Sequence, residues 1–143
     1  MKKIILSGST GFIGSNIRLK LSQNSKISLF NIDLRKTKEE IKLILKDNYF
    51  DYFIHSAGIH PKREESYNKK IIYENNEILK KIDPIFKRSK KIILISSFVN
   101  LVDYKKKIIS EDNLLQLNKS DNFYKISKFN VEKYFLDLND RYN

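Results

Sequence analysis

Three glycines stand close together near the start of the chain, at positions 8, 11 and 14, and the whole chain contains only four. They follow an apolar run and precede residues with helical periodicity, which indicates a strand-to-helix turn. Such a turn needs backbone freedom, and a helix N-terminus offers a bound diphosphate unpaired N–H donors. A tight turn without a ligand is the alternative. The window predicts a dinucleotide phosphate loop formed by Gly8, Ser9, Thr10, Gly11, Phe12, Ile13 and Gly14.

An acidic residue follows this loop at a distance that suits a ribose. Asp33 ends the second apolar run, 19 residues after Gly14, and can accept hydrogen bonds from both ribose hydroxyls of an adenosine. The spacing favours NAD as the cofactor, with Asp33, Leu34 and Arg35 beside the ribose. Arg35 could instead meet a 2′-phosphate, which would favour NADP. A plain turn residue before Thr37 is the other interpretation of Asp33.

A tyrosine and a lysine near the end of the chain share one helix face. Tyr124 and Lys128 are four residues apart in a helical pattern, so both side chains project in the same direction. The spacing alone carries little weight in a chain so rich in lysine. Ser96 and Ser97 give it weight, because they follow an apolar run at the sheet edge where open α/β folds bind ligands. Together these side chains form a candidate catalytic site.

Strand and helix patterns alternate along the chain. Strands are predicted over residues 2–7, 27–32, 52–55 and 92–96. Helices are predicted from about residue 12, from about residue 38, over 66–89 and over 124–138. Thr37 and Glu40 form a capping box that opens the second helix. Asp83 and Pro84 interrupt the third pattern, so we expect Asp83 to cap a short additional helix.

This alternation predicts an α/β fold, a Rossmann-like doubly wound parallel sheet of about four to five strands with helices on both faces. A length of 143 residues with 41% hydrophobic side chains suits one domain, an NAD(P)-binding Rossmann domain over residues 1–143. Residues 101–123 form a long connection, and such loops are usually functional or partly disordered.

The composition excludes several other functions. The chain has no cysteine and two histidines, so we expect no disulfide, no thiol chemistry and no metal site. No apolar run approaches the roughly twenty residues that span a bilayer, and no secretory signal is visible, so we expect a cytoplasmic protein without a membrane partner. The net charge of +11 would suit nucleic acid. The lysines are spread in pairs, however, which indicates a solvated surface and no nucleic-acid partner.

The motifs together resemble the extended short-chain dehydrogenase/reductase family, the NAD-dependent epimerase/dehydratases. Its landmarks are a glycine motif, an Asp-x-x-x-His-x-Ala strand end, a serine pair, a loop acid, a Tyr-x-x-x-Lys helix and a later glutamate. The matching residues are Gly8, Gly11 and Gly14, then Asp51, His55 and Ala57, then Ser96 and Ser97, then Glu111, then Tyr124 and Lys128, then Glu132.

The resemblance implies hydride exchange at a hydroxyl-bearing carbon of a nucleotide sugar. Tyr124 would be the general acid or base, Lys128 would favour its ionised form and hold the nicotinamide ribose, and Ser97 would hydrogen-bond the reacting oxygen. Further cofactor contacts implied in the same way are His55, Ser56, Ala57, Gly58, Asn75 (or Asn76) and Ser96. A satisfied strand-end histidine is an equal interpretation of His55.

The resemblance leaves two other functions open, an NADP-dependent keto-sugar reductase and a non-catalytic nucleotide-binding remnant of the family. It also implies pairing of two copies through helices near residues 71–82 and 131–138.

The chain departs from the family pattern in places. Only 17 residues separate Asp33 from Asp51, so we expect the family's extra helix and edge strand to be missing there, and Asp33 could then stand for an aspartate near the adenine. Asn100 and Leu101 replace a Val-Tyr pair, and Pro84 breaks a helix. The pattern ends after the Tyr-Lys helix, so we expect a truncated fold, the cofactor half without the substrate-binding part.

Overall fold

The computed structural model of the protein describes residues 1–60, 68–97 and 122–142. These residues contain four strands and five helices. The strands are β1 (Lys2–Ser7), β2 (Ile27–Ile32), β3 (Phe50–His55) and β4 (Ser89–Leu94). The helices are α1 (Phe12–Ser22), α2 (Lys38–Leu45), α3 (Lys70–Leu79), α4 (Asp83–Phe86) and α5 (Phe123–Tyr142).

All strand pairs in the sheet are parallel, in the order β2-β1-β3-β4. In this register Ser7 lies beside Ile32 on one side and His55 on the other, and His55 lies beside Leu94. Because the strands run the same way, every strand ends at one edge of the sheet. The glycine loop after β1 and the candidate residues that follow β2, β3 and β4 therefore lie at that edge.

Helices cover both faces of the sheet, which confirms the predicted Rossmann-like fold class. Ile4, Leu6 and Ile54 point to one face, where Ile17 and Leu21 of α1 pack against them. Their alternating neighbours point to the other face, which carries the larger core. That core combines strand residues with residues of the segments from α2 to α5. The strands contribute Ile5, Ile32 and Phe53, and those segments contribute Ile41, Leu45, Leu79, Ile82, Ile85, Phe86, Val131, Phe135 and Leu138.

The predicted capping box at the start of α2 is present. Thr37 Oγ1 accepts a hydrogen bond from the Glu40 amide at 3.3 Å, and the Glu40 carboxylate accepts one from the Thr37 amide at 2.8 Å. These bonds hold the pKa of Glu40 below its usual value. With the N-terminus fixed, α2 buries Ile41 and Leu45 against the sheet.

The connection from β2 to β3 contains α2 and no strand, as its short length predicted. The chain crosses from the edge strand β2 over β1, and β3 pairs directly with β1. Across the described ranges, no helix combines the length and the apolar composition that crossing a bilayer requires.

Several element boundaries differ from the predictions. Strand β3 begins at Phe50, and its ladder with β4 begins where Phe50 pairs with Ser89, so β4 starts before the apolar run and also ends earlier than predicted. The Lys90 side chain forms an ion pair with Asp51 at 3.2 Å. Ile82, not Asp83, occupies the N-cap position of α4, so the predicted Asp83 cap is wrong. The Asp83 carboxylate pairs instead with Lys87 and accepts a hydrogen bond from Tyr142 at 2.8 Å. That bond ties the C-terminal end of α5, which is longer than predicted, to α4.

Candidate active site

The glycine loop forms a tight turn between β1 and α1. The Gly11 amide donates to the Gly8 carbonyl at 3.0 Å, with Ser9 and Thr10 at the tip of the turn. Gly8 has a φ of 74°, a conformation that favours glycine. A Cβ at Gly8 would also lie 2.6 Å from the Ala57 amide nitrogen, so the turn fits directly against the end of β3.

Gly14 is required by an even closer approach. A Cβ on this residue would collide with the Gly8 carbonyl and lie 2.7 Å from Ser56 Oγ. The Ser56 hydroxyl in turn donates to the Ser7 carbonyl at 2.7 Å. Packing of α1 against two strand ends therefore explains Gly8 and Gly14 whether or not a ligand binds.

Packing does not explain Gly11. The nearest atom to a Cβ at this position would be the Gly8 carbonyl oxygen at 3.4 Å, which is an ordinary contact. Gly11 is the N-cap of α1, and no side chain caps the helix there. The N-terminal amides of α1 are thus open to an anion, and the residues present fit the diphosphate of a dinucleotide.

Asp33 and Arg35 bind each other at the end of β2. The Arg35 side chain donates to both carboxylate oxygens of Asp33, with its Nε at 2.9 Å and its Nη2 at 2.7 Å, and the Arg35 amide adds a bond at 2.9 Å. These bonds lower the pKa of Asp33 to about 2. Leu34 between them is buried in the core. Lys81 fixes the loop by donating to the carbonyls of Leu34 and Lys36, both at 2.8 Å.

The histidine at the end of β3 lies in the core. Its ring is 1% exposed, and His55 Nδ1 shares a hydrogen bond of 2.8 Å with Ser7 Oγ. The rings of Phe53 and Phe135 lie 5.8 and 5.2 Å away. Burial lowers the pKa of His55 to about 3, with a further contribution from the positive charge of Lys128. This geometry favours the satisfied strand-end histidine over a cofactor contact through the side chain.

The loop after β3 is held by Asn75 of α3. The Asn75 side chain accepts from the Ile59 amide at 2.9 Å and donates to the Ile59 carbonyl at 3.3 Å. It also donates to the Ile71 carbonyl of its own helix at 3.0 Å. Asn75 is buried, and its amide is occupied by the loop backbone. Neighbouring Asn76, the alternative predicted residue, is half-buried.

The structure places Tyr124 and Lys128 beside this loop. Lys128 Nζ lies 5.7 Å from the centre of the Tyr124 ring, and a Cβ at Gly58 would be 3.1 Å from that nitrogen. Partial burial lowers the pKa of Lys128, while Glu132 one turn later acts in the opposite direction. Glu132 accepts a hydrogen bond from Ser96, which follows β4. Helix α5 is thereby joined to the ends of both β3 and β4.

Ser97 also follows β4 and is half-buried. Glu111, which carried the resemblance, and Asn100 and Leu101, which depart from the family pattern, lie outside the described residues, as does most of the predicted 101–123 connection.

Sequence reasoning missed three residues that shape the site. Ser7 bonds His55, Lys81 holds the β2–α2 loop, and His60 packs against Tyr124 with ring centres 5.1 Å apart. His60 had a visible signal, because it is one of two histidines and stands two residues after Gly58. Ser7 and Lys81 had none, since their contacts join residues more than 40 positions apart. Among the residues with described positions, no group of three His, Asp or Glu could hold a metal ion.

A family model for the NAD dependent epimerase/dehydratase family matches residues 4–143, almost the whole chain. The chain belongs to this family. A search of curated protein sequences finds no match.

Solved structures of two epimerases and of a further enzyme share the fold of this family member. The UDP-glucuronic acid 4-epimerase of Bacillus cereus, as a mutant with NAD and UDP-4-deoxy-4-fluoro-glucuronic acid, aligns with a TM-score of 0.76 at 19% identity, over 98% of this chain and 53% of its own. The UDP-glucose 4-epimerase of Thermotoga maritima with UDP-glucose aligns at 0.76 and 19%, over 98% and 52%. The Bordetella bronchiseptica enzyme WbmH with NAD+ aligns at 0.69 and 16%, over 96% and 52%. The chain thus spans about half the length of these proteins.

The buried His55 predicts acid sensitivity. The unfolded chain binds a proton at this residue below an ordinary pKa of about 6.5, whereas the folded chain does so only near 3. Folding stability should therefore fall as the pH drops below 6.5, by at most about 1.4 kcal/mol per pH unit. Denaturant unfolding at pH 7.0, 6.0 and 5.0 measures this slope, above the range where the lowered pKa values of Asp33, Glu40 and Asp51 matter.

His55→Gln should flatten the slope, even if the variant is less stable at every pH. His60→Gln is the matched control, because His60 is exposed and its loss leaves the buried imidazole in place. An equal slope in the wild type and His55→Gln would contradict the prediction.

Proposed function

We propose that residues 1–143 form the NAD-binding Rossmann domain of an epimerase/dehydratase-type oxidoreductase that acts on a nucleotide sugar. The proposal assigns the reaction to Ser97, Tyr124 and Lys128 and the cofactor to the loops at the same sheet edge. One observation carries it. The Tyr124 ring and Lys128 Nζ converge on the Gly58 loop, next to the open N-terminus of α1.

The loops at the sheet edge suit an extended dinucleotide. The diphosphate would lie at the Gly11 end of α1, the adenosine ribose near Asp33, and the nicotinamide ribose near Lys128 and the loop from Ser56 to Gly58. When bound, the nicotinamide supplies the acceptor for a hydride from the substrate carbon. Support for NAD comes from the family and from the solved structures that hold it.

The protein side chains would handle the proton. A phenol is a poor base near neutral pH unless a positive charge lies beside it, and Lys128 is placed to supply that charge. Tyr124 would take the proton of the substrate hydroxyl as the carbon loses its hydride, and would return it when the reaction reverses. Ser97 would hydrogen-bond the reacting oxygen. Glu132 would help to keep Lys128 charged in a site that partly desolvates it.

A nucleotide sugar is the proposed substrate class. Two of the solved structures with this fold contain a UDP-sugar or an analogue, UDP-glucose in one and a fluorinated UDP-glucuronic acid in the other. Because these structures have low sequence identity to this chain, they support a class of substrate and not a particular sugar. UDP-glucose and UDP-glucuronic acid are the natural first probes.

The phosphate loop can be tested without any turnover. Gly11→Asp would put a carboxylate at the open N-terminus of α1, where it would repel a diphosphate, and should weaken NAD binding at least about tenfold by calorimetry. The same substitution adds a favourable N-cap residue, so stability should stay level or rise by a few tenths of a kcal/mol.

Gly11→Asn is the matched control, since it has the same size and no charge. NAD binding should suffer less in Gly11→Asn than in Gly11→Asp. If well-folded wild type takes up no NAD, or if Gly11→Asp binds it equally well, the turn is only structural and the proposal is wrong.

Tyr124→Phe tests the assigned chemistry. It should lower turnover by about a hundredfold or more while leaving NAD affinity nearly unchanged, because it removes only the proton-transferring oxygen. Turnover is measured as NMR-detected conversion of UDP-glucose or UDP-glucuronic acid with NAD. Tyr73→Phe is the control, since Tyr73 is 66% exposed on α3. A wild type that binds NAD and converts neither sugar would favour the non-catalytic remnant.

The NADP-dependent reductase is the second candidate, and the exposed guanidinium of Arg35 beside Asp33 is the observation that favours it. If NAD is the cofactor, Arg35→Ala should release the Asp33 carboxylate for the ribose and leave NAD affinity equal or higher. If NADP is the cofactor, Arg35→Ala should lower NADP affinity and Arg35→Lys should preserve part of it. Calorimetry with NAD and with NADP on the wild type, Arg35→Ala and Arg35→Lys distinguishes the two candidate functions.

A further inference from the structure

His60 lies directly against the ring of Tyr124. The two ring centres are 5.1 Å apart and the ring planes are inclined by 55°. His60 is exposed, and its ring lies beside the phenol that would act in the reaction. Neither the glycine motif nor the Tyr-x-x-x-Lys motif includes this residue.

The chain holds His60 in this place through its neighbour. Both backbone groups of Ile59 are hydrogen-bonded to the buried side chain of Asn75, at 2.9 and 3.3 Å. One residue earlier, the loop passes close to α5, since a Cβ at Gly58 would lie 3.1 Å from Lys128 Nζ. The backbone before His60 is therefore bonded to α3 and lies beside α5, where the ring contact with Tyr124 forms.

Among the described residues, charged side chains lie near the Tyr124 ring. Lys128 Nζ lies 5.7 Å from the ring centre, and Glu132 interacts with that lysine. Lys69 of the segment before α3 lies over the next ring, Phe123, at 6.0 Å. Of the two histidines in the chain, His55 is buried and bonded to Ser7, which leaves His60 as the imidazole that faces this cluster.

We propose that His60 is a positioning residue for the reaction, whose ring packs against Tyr124 and orients the phenol. The inference rests on the proposed function, because it gives Tyr124 the role of acid and base. In the reaction step the proton passes from the substrate hydroxyl to the Tyr124 oxygen, and His60 neither gains nor loses one. Its contribution is to hold the ring in the orientation that this transfer needs.

Two variants test this role. His60→Ala removes the ring that packs against Tyr124, so kcat should fall about tenfold with the KM for UDP-glucose little changed. His60→Phe keeps an aromatic ring against Tyr124, so it should restore most of that loss.

A second measurement reads the contact without turnover. In proton NMR spectra the imidazole resonances of His60 should lose a ring-current shift in Tyr124→Leu, while those of His55 should stay in place. Addition of UDP-glucose to the NAD-loaded wild type should then move the His60 resonances.

The outcomes are distinguishable. If the wild type turns over no sugar, the proposed function fails and this inference fails with it. If the wild type is active but His60→Ala matches it in KM and kcat, or if Tyr124→Leu leaves the His60 resonances unmoved, the assignment of His60 is wrong while the roles of Tyr124 and Lys128 stand. NAD affinity should be equal in the wild type and in His60→Ala, and a loss of NAD binding would point to a structural role and overturn the proposal.

Discussion

The site depends on one close approach, between the turn after β1 and the end of β3. Gly8 sits against the Ala57 backbone in a left-handed conformation, and Gly14 sits against the Gly8 carbonyl and the Ser56 hydroxyl. A methyl group on either residue would push α1 away from the sheet. This junction positions the open N-terminus of α1 and the loop after β3, and with them the α5 residues that face this loop. The lack of a side chain at Gly8 and Gly14 therefore sets the geometry of the whole edge.

Behind this edge the histidine and the lysine of the candidate site lie in different surroundings. The buried His55 is neutral and bonded to Ser7, so the polar group nearest the core is satisfied. Lys128 is only half-buried, and Glu132 offsets part of its desolvation. A lysine placed there keeps enough contact with water and with a carboxylate to stay charged, which the proposed chemistry requires.

Local patterns predicted the local parts of this molecule. The limits of β1 and β2, the capping box of α2 and the parallel sheet follow from apolar periodicity and cap residues. The early start of β4 does not, because Ser89 and Lys90 are not apolar and their strand conformation comes from pairing with β3. The clamp of Asn75 on Ile59 and the contact of His60 with Tyr124 are also invisible in the sequence. Each depends on which helix folds back over which strand end, and no spacing rule encodes that.

The glycine motif is evidence both for close packing and for ligand binding, and the sequence alone cannot separate the two. Packing explains Gly8 and Gly14, so they would be needed in a Rossmann-like sheet that bound nothing. Gly11 has room for a side chain and sits where a Ser or Asp cap would stabilise the helix, yet the position carries none. A fold selected for stability alone would gain from filling that position. The missing cap is therefore the part of the motif that points to a ligand, because it keeps the α1 amides free for an anion that arrives from outside the chain.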